Sequence, residues 1–112
     1  MTNTELDALI LRRVMGGEFT ITIPNYLVGG GTVDMSRSWH PTEDISQAMQ
    51  AIEKMHTMDA GVVPHHLTLR YDPYRKYEGA LMWTATFGTG GRGDANTPEL
   101  AICKAIASAL GG

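Results

Sequence analysis

Tyrosines and cations crowd one short stretch of this sequence: Arg70 and Tyr71 are followed by Tyr74, Arg75, Lys76 and Tyr77. A tyrosine ring offers a stacking face and an arginine a bidentate fork for phosphate, so the set suits a nucleotide or a protein hot spot. A second stretch, Gly88-Thr89-Gly90-Gly91-Arg92-Gly93-Asp94-Ala95-Asn96, runs into Thr97-Pro98-Glu99. Glycines let backbone N–H groups converge, a helix start adds positive potential and Arg92 adds charge, which makes Gly90, Gly91, Arg92 and Thr97 candidate anion ligands. The stretch lacks the lysine and hydroxyl that follow the last glycine of a phosphate-binding loop, and Asp94 and Glu99 lower the local potential. The plainer alternatives are an exposed turn with snorkelling side chains for the first stretch and a flexible connector for the second.

Other reactive residues carry less. His40, His56, His65 and His66 match no metal-ligand spacing, and Cys103 is the only cysteine, so no metal site is expected and no intrachain disulfide can form. Within Ala101-Ile102-Cys103-Lys104-Ala105 the thiol reads as a small buried core residue. No spacing selects a histidine–carboxylate or serine–histidine pair, so the chain is read as a non-enzyme that needs no cofactor. Arg92-Gly93-Asp94 spells an integrin-binding tripeptide and is read as coincidence.

These residues need elements to hold them. Leu6, Leu9, Ile10 and Val14 recur at helical spacing between an Asn3 or Thr4 cap and Gly16-Gly17, predicting a helix from about Thr4 to Met15. Phe19, Ile21 and Ile23 alternate with Thr20 and Thr22, predicting a strand over 18–23 that Pro24 closes. The stretch from Asn25 to Trp39 reads as a long connection with a short extra strand around Thr32–Met35. A second helix starts with Thr42 as N-cap and Glu43 and Asp44 in its first turn, with Ile45, Ala48, Met49, Ile52 and Met55 on one face. Leu67, Leu69 and Tyr71 alternate with His66, Thr68 and Arg70 in a second strand, and a turn over 72–79 returns it through Leu81, Trp83, Ala85 and Phe87. A flexible loop over 88–96 then opens a third, strongly apolar helix, which Thr97 caps, Pro98 begins and Gly111-Gly112 end. Both candidate stretches flank the strand Leu81–Phe87, near its opposite ends, so an oligomer would be needed to bring them together.

Bulk composition narrows the class. A length of 112 residues suits one domain spanning 1–112, and 43% hydrophobic with 19% charged residues argues against wholesale disorder. A net charge of −3 and a pI near 5.7 disfavour duplex nucleic acid, although the nine Lys and Arg residues could still form a local anion site. The start of the chain lacks a signal-peptide pattern, and no apolar run approaches the ~20 residues needed to cross a bilayer, so no membrane association and a cytoplasmic setting are expected.

Four stretches, Glu5–Leu9 through Val14-Met15-Gly16, Thr42–Ile45 through Ala48-Met49 and Ile52-Glu53-Lys54, Trp83–Phe87, and Thr97–Ala105, resemble the phage ABA sandwich domain family in that order. They span nearly the whole chain, and the last is the most distinctive. Met49 stands where members commonly carry tryptophan, and the region Gly29–Ser38 does not align. The resemblance implies an α-β-α sandwich encoded by a bacteriophage or prophage, and it brings no catalytic residues. Each matching stretch also serves as a cap or a core face, which directs attention to the loops.

The expected fold is therefore α+β, an α-β-α sandwich with a small, mainly antiparallel sheet and three helices. The expected function is that of a phage accessory protein in the infected bacterial cytoplasm, a homo-oligomer that sequesters a nucleotide-type host immune signal. Its pockets would be lined by Arg70, Tyr71, Tyr74, Arg75, Lys76, Tyr77, Gly90, Gly91, Arg92 and Thr97. The alternative is an anti-CRISPR-like protein inhibitor of a host defence enzyme, docking through Asp34, Glu43, Asp44, Glu53 and Asp59.

Overall fold

The first helix, α1 (Asn3–Arg13), begins one residue earlier than its apolar period suggests, because Thr2 is the cap: its Oγ1 accepts the Glu5 N–H (3.1 Å) and donates to the Glu5 carboxylate (3.2 Å). It ends at Arg13, two residues short of the expected Met15, with Val14 as its C-cap, and the chain turns away through Gly16 and Gly17, both with positive φ, where Gly17 N–H donates back to Leu11 O (2.8 Å). The computed structural model describes residues 1–26, 29–57, 67–74, 81–87 and 90–111. Within them lie three α-helices and two small antiparallel sheets, an α+β arrangement.

Strands β1 (Thr20–Ile23) and β2 (Gly31–Asp34) form the two-stranded sheet, with Ile21 opposite Val33. The extra strand is thus real, one residue earlier than expected, and it turns most of the supposed long connection into a hairpin. A 3-10 turn over Ser36–Ser38 leads to Trp39, whose buried indole stacks at a tilt on Phe19 (4.9 Å) and donates from Nε1 to Asp7 O (3.1 Å).

Helix α2 (Ile45–Thr57) corrects one expectation. Its start is held by Asp44, whose carboxylate accepts the N–H groups of Ser46 (2.9 Å) and Gln47 (3.2 Å). Thr42 is not the cap, because its N–H and hydroxyl both bind the buried Asp7 carboxylate (3.0 and 3.1 Å), fastening α1 to the approach of α2. Ala48, Ala51, Ile52 and Met55 face the core, whereas Ile45 and Met49 remain 42% exposed.

Strands β3 (Leu67–Tyr71), β4 (Trp83–Phe87) and β5 (Arg92–Ala95) form the second sheet in the order β3-β4-β5. β5 overturns the expectation of a flexible loop across 88–96: Thr86 pairs with Arg92, Ala85 with Gly93, Thr84 with Asp94 and Trp83 with Ala95. A period of two is present, but its inward residues are Gly93 and Ala95, too small to register as an apolar face. Helix α3 (Pro98–Ala109) covers that face, with Thr97 as cap and Pro98 in its first turn as expected, and α1 and α2 pack against α3. The strand and helix approach so closely that a Cβ on Gly93 would overlap the backbone of Ala101 and Ala105, and one on Gly91 would lie 2.6 Å from Ala105 O. The core is built from Ile10, Val14, Trp39, Ala85, Phe87, Ile102, Cys103 and Ile106, among others.

Candidate functional site

Alternation in the second sheet sends Leu67, Leu69, Trp83, Ala85, Phe87, Gly93 and Ala95 to the side of α3 and leaves Thr68, Arg70, Thr84, Thr86, Arg92 and Asp94 on the other. On that second side Thr68, Arg70 and Arg92 are exposed and Thr84, Thr86 and Asp94 half-buried. A cavity of about 440 Å³ lies on it, lined by Thr68, Arg70, Asp72, Met82, Thr84, Thr86 and Arg92. Each wall follows from the register: Thr68 faces Thr86, which faces Arg92, and Arg70 faces Thr84, which faces Asp94.

The charges there are unequally engaged. Arg92 is folded along its own strand onto Asp94 (Nε to Oδ2, 3.3 Å), and Asp94 also accepts the Thr84 hydroxyl (2.6 Å). Asp72 accepts the Tyr74 N–H (3.1 Å) and so shapes the turn that leaves β3. Arg70 is exposed and has no hydrogen-bond or ion-pair partner among the described residues. An unpaired guanidinium, a second one with donors to spare, and the hydroxyls of Thr68 and Thr86 beside them can hold phosphate or carboxylate oxygens by charge-assisted hydrogen bonds.

Arg70 and Arg92, expected at opposite ends of β4, therefore share one cavity on one chain. The other candidates lie elsewhere. Tyr71 leans on Trp83 (ring centroids 4.7 Å) on the side of α3, and Tyr74 is 76% exposed at the start of the turn. Gly90, with φ +116°, makes the bend between β4 and β5, donating to Phe87 O (3.1 Å). Gly91 is buried against α3, so its missing side chain serves packing, and the Thr97 hydroxyl accepts the Leu100 N–H (3.4 Å). Arg75, Lys76 and Tyr77 fall outside the described residues. Thr68, Thr84, Thr86, Asp72 and Met82 were not singled out from sequence. The signal available was the outward set of the alternation, Thr68-x-Arg70 and Thr84-x-Thr86.

A second cavity, about 220 Å³, lies beside α1 and is lined by Thr4, Asp7, Ala8, Leu11, Ser36, Arg37, Trp39 and His40. Ser36, His40 and Asp7 meet there without forming a nucleophile relay. The Ser36 hydroxyl donates to Asp34 (2.6 Å) and accepts the Phe19 N–H (3.2 Å), and His40 Nδ1 stays 3.8 Å from an Asp7 carboxylate already bound to Thr42. The hydrogen bonds from Ser36 hold the Asp34 carboxyl below the usual carboxylate range. Among the acids considered for protein docking, Asp34 and Asp44 are thus engaged locally, Glu43 and Glu53 are exposed, and Asp59 lies outside the described residues. Burial pushes the Cys103 thiol strongly up, with the charges of Asp7 and Glu99 adding to the effect. Among the described residues no group of three His, Cys, Asp or Glu could hold a metal ion, and no helix is long and apolar enough to cross a membrane.

Residues 8–106 match the family model described as the phage ABA sandwich domain, and the chain belongs to that family. No curated protein and no solved structure matches it.

Proposed function

We propose that this phage ABA sandwich domain is an accessory protein that acts by binding, capturing a nucleotide-type signal of host defence on the open face of its sheet. The observation that carries the reading is the meeting of Arg70 and Arg92 in one cavity floored by Thr68, Thr84 and Thr86. Two strand spacings across and two residues along place their Cα atoms roughly 12 Å apart, a span that two long side chains close onto a diphosphate or onto the two phosphates of a cyclic dinucleotide. Such a ligand supplies the anionic oxygens that Arg70 lacks, and sequestration needs no catalytic group. The setting that goes with this reading is the cytoplasm of an infected bacterium.

Titration calorimetry with cyclic dinucleotides, cyclic trinucleotides and cyclic ADP-ribose derivatives tests it, together with mass spectrometry of material released by heating the purified protein. Binding of one class, weakened at least tenfold by Arg70→Ala, is expected. No heat from any class and no released ligand ends the reading. The exposed Tyr71 and Tyr74 favour the inhibitor alternative, and a stoichiometric host enzyme recovered on the immobilised protein, lost in Tyr74→Ala, would decide for it.

A further inference from the structure

We infer that the outer edge of β3 docks a second copy of this chain by antiparallel strand pairing about a two-fold axis at Leu69, joining two three-stranded sheets into one. The two edges of the sheet differ. Asp72 N–H donates to Met82 O (2.9 Å), which fixes the alternation along β3: Thr68 and Arg70 spend their backbone groups on β4, while Leu67, Leu69 and Tyr71 turn theirs outward. On β5 the bond from Phe87 N–H to Gly91 O (2.8 Å) likewise turns Arg92 and Asp94 outward, but there the Asp94 carbonyl already accepts the Lys104 ammonium (3.2 Å). A lysine laid over an edge strand discourages further pairing. No described residue covers the β3 edge in this way, and beside its outward backbone groups Leu69 is 38% and Tyr71 50% exposed.

β3 is complementary to itself about Leu69. With Leu69 opposite Leu69 of the second copy, Leu67 meets the second copy's Tyr71, and every outward N–H and C=O of these residues finds a mate. Apolar side chains then meet on the side of α3, and on the open side Thr68 stands opposite the second copy's Arg70. A slip that raises the sum by two residues sets Arg70 against Arg70, which like charge opposes. The pairing needs no ligand. Its functional consequence rests on the reading above: the second copy brings its Arg70 beside Thr68, so the anion site is completed across the axis.

Analytical ultracentrifugation without nucleotide should give twice the 12.2 kDa of one chain. Leu69→Pro removes an N–H that β4 does not use, and Leu69→Lys sets charge against charge at the axis; each should shift the protein to monomer while circular dichroism shows the fold kept. Hydrogen-bonded cross-strand neighbours lie about 5.5 Å apart at Cα, within disulfide reach, so Leu69→Cys should form a crosslinked dimer on oxidation. Thr68→Cys, roughly 8 Å from its mate, should not. A wild-type monomer at every concentration, a dimer that survives both Leu69→Pro and Leu69→Lys, or crosslinking by Thr68→Cys in place of Leu69→Cys overturns the proposal. A dimer that binds no nucleotide keeps this interface and ends the sequestration reading, and a monomer that binds nucleotide does the reverse.

Discussion

The two sides of the three-stranded sheet are made by neighbouring residues of the same strands, yet they obey opposite constraints. On the side of α3, Ala85, Gly93 and Ala95 are buried and the helix backbone comes so near that a methyl group has no place. On the other side Thr68, Arg70 and Arg92 are exposed, and no close packing fixes their hydroxyl and guanidinium groups. One side is specified by shape and tolerates little change; the other is specified by chemistry and can vary without endangering the fold. A protein that must change its ligand while keeping its fold gains from placing its polar groups on the side that carries no packing.

The sharpest way to break this contrast is to truncate adjacent residues. Phe87→Ala removes a ring buried in the core and should cost about 3–5 kcal/mol, read as a fall in the urea midpoint. Gly93→Ala adds a single carbon, but against the backbone of Ala101 and Ala105, so a loss of about 3 kcal/mol is expected by the same measurement. Dryness under α3 is tested through Cys103, whose thiol is raised in the folded chain. Below its ordinary value of 9.0 both states hold the proton and pH has no effect through this group. Above that pH the unfolded chain ionises while the folded one does not, so stability should fall by roughly 1.4 kcal/mol per further pH unit. Comparing urea midpoints at pH 8 and pH 10 for wild type and Cys103→Ala isolates this slope, which the variant should lose. The smallest effects belong to the open side: Thr86→Ala and Arg70→Ala should move stability by no more than about 0.5 kcal/mol. A loss of 2 kcal/mol at either would mean that the two sides are not independent.

Helices were legible where their signals are local. Thr97-Pro98-Glu99 and Gly16-Gly17 state a start and a stop within a few residues, and the ends of α3 and α1 follow them closely. Thr42 misled because its hydroxyl is claimed by Asp7, a carboxylate 35 positions away, leaving the cap to Asp44. β5 was hidden for a related reason. Its inward face is glycine and alanine because α3 lies on it, and that contact cannot be seen in a window around Arg92. Arg70 and Arg92 could each be picked out by residue type, but their meeting depends on β5 being a strand, and with it went the threonine floor between them. Gly91 resembles a phosphate cradle in sequence, while in the structure its missing side chain lets α3 approach β5.

The tie from Asp7 to Trp39 and Thr42 closes a circuit in the chain. The β1–β2 hairpin leaves the core after Phe19, and the chain returns beside that point at Trp39, whose ring meets Phe19. Such an excursion is a natural graft point: related domains can lengthen, shorten or replace the hairpin with no change in the distance the chain must span at its base. Through its bonds to Thr42 the Asp7 carboxylate pins the base of this excursion to α1, so the hairpin can vary in length while the rest of the fold stays put.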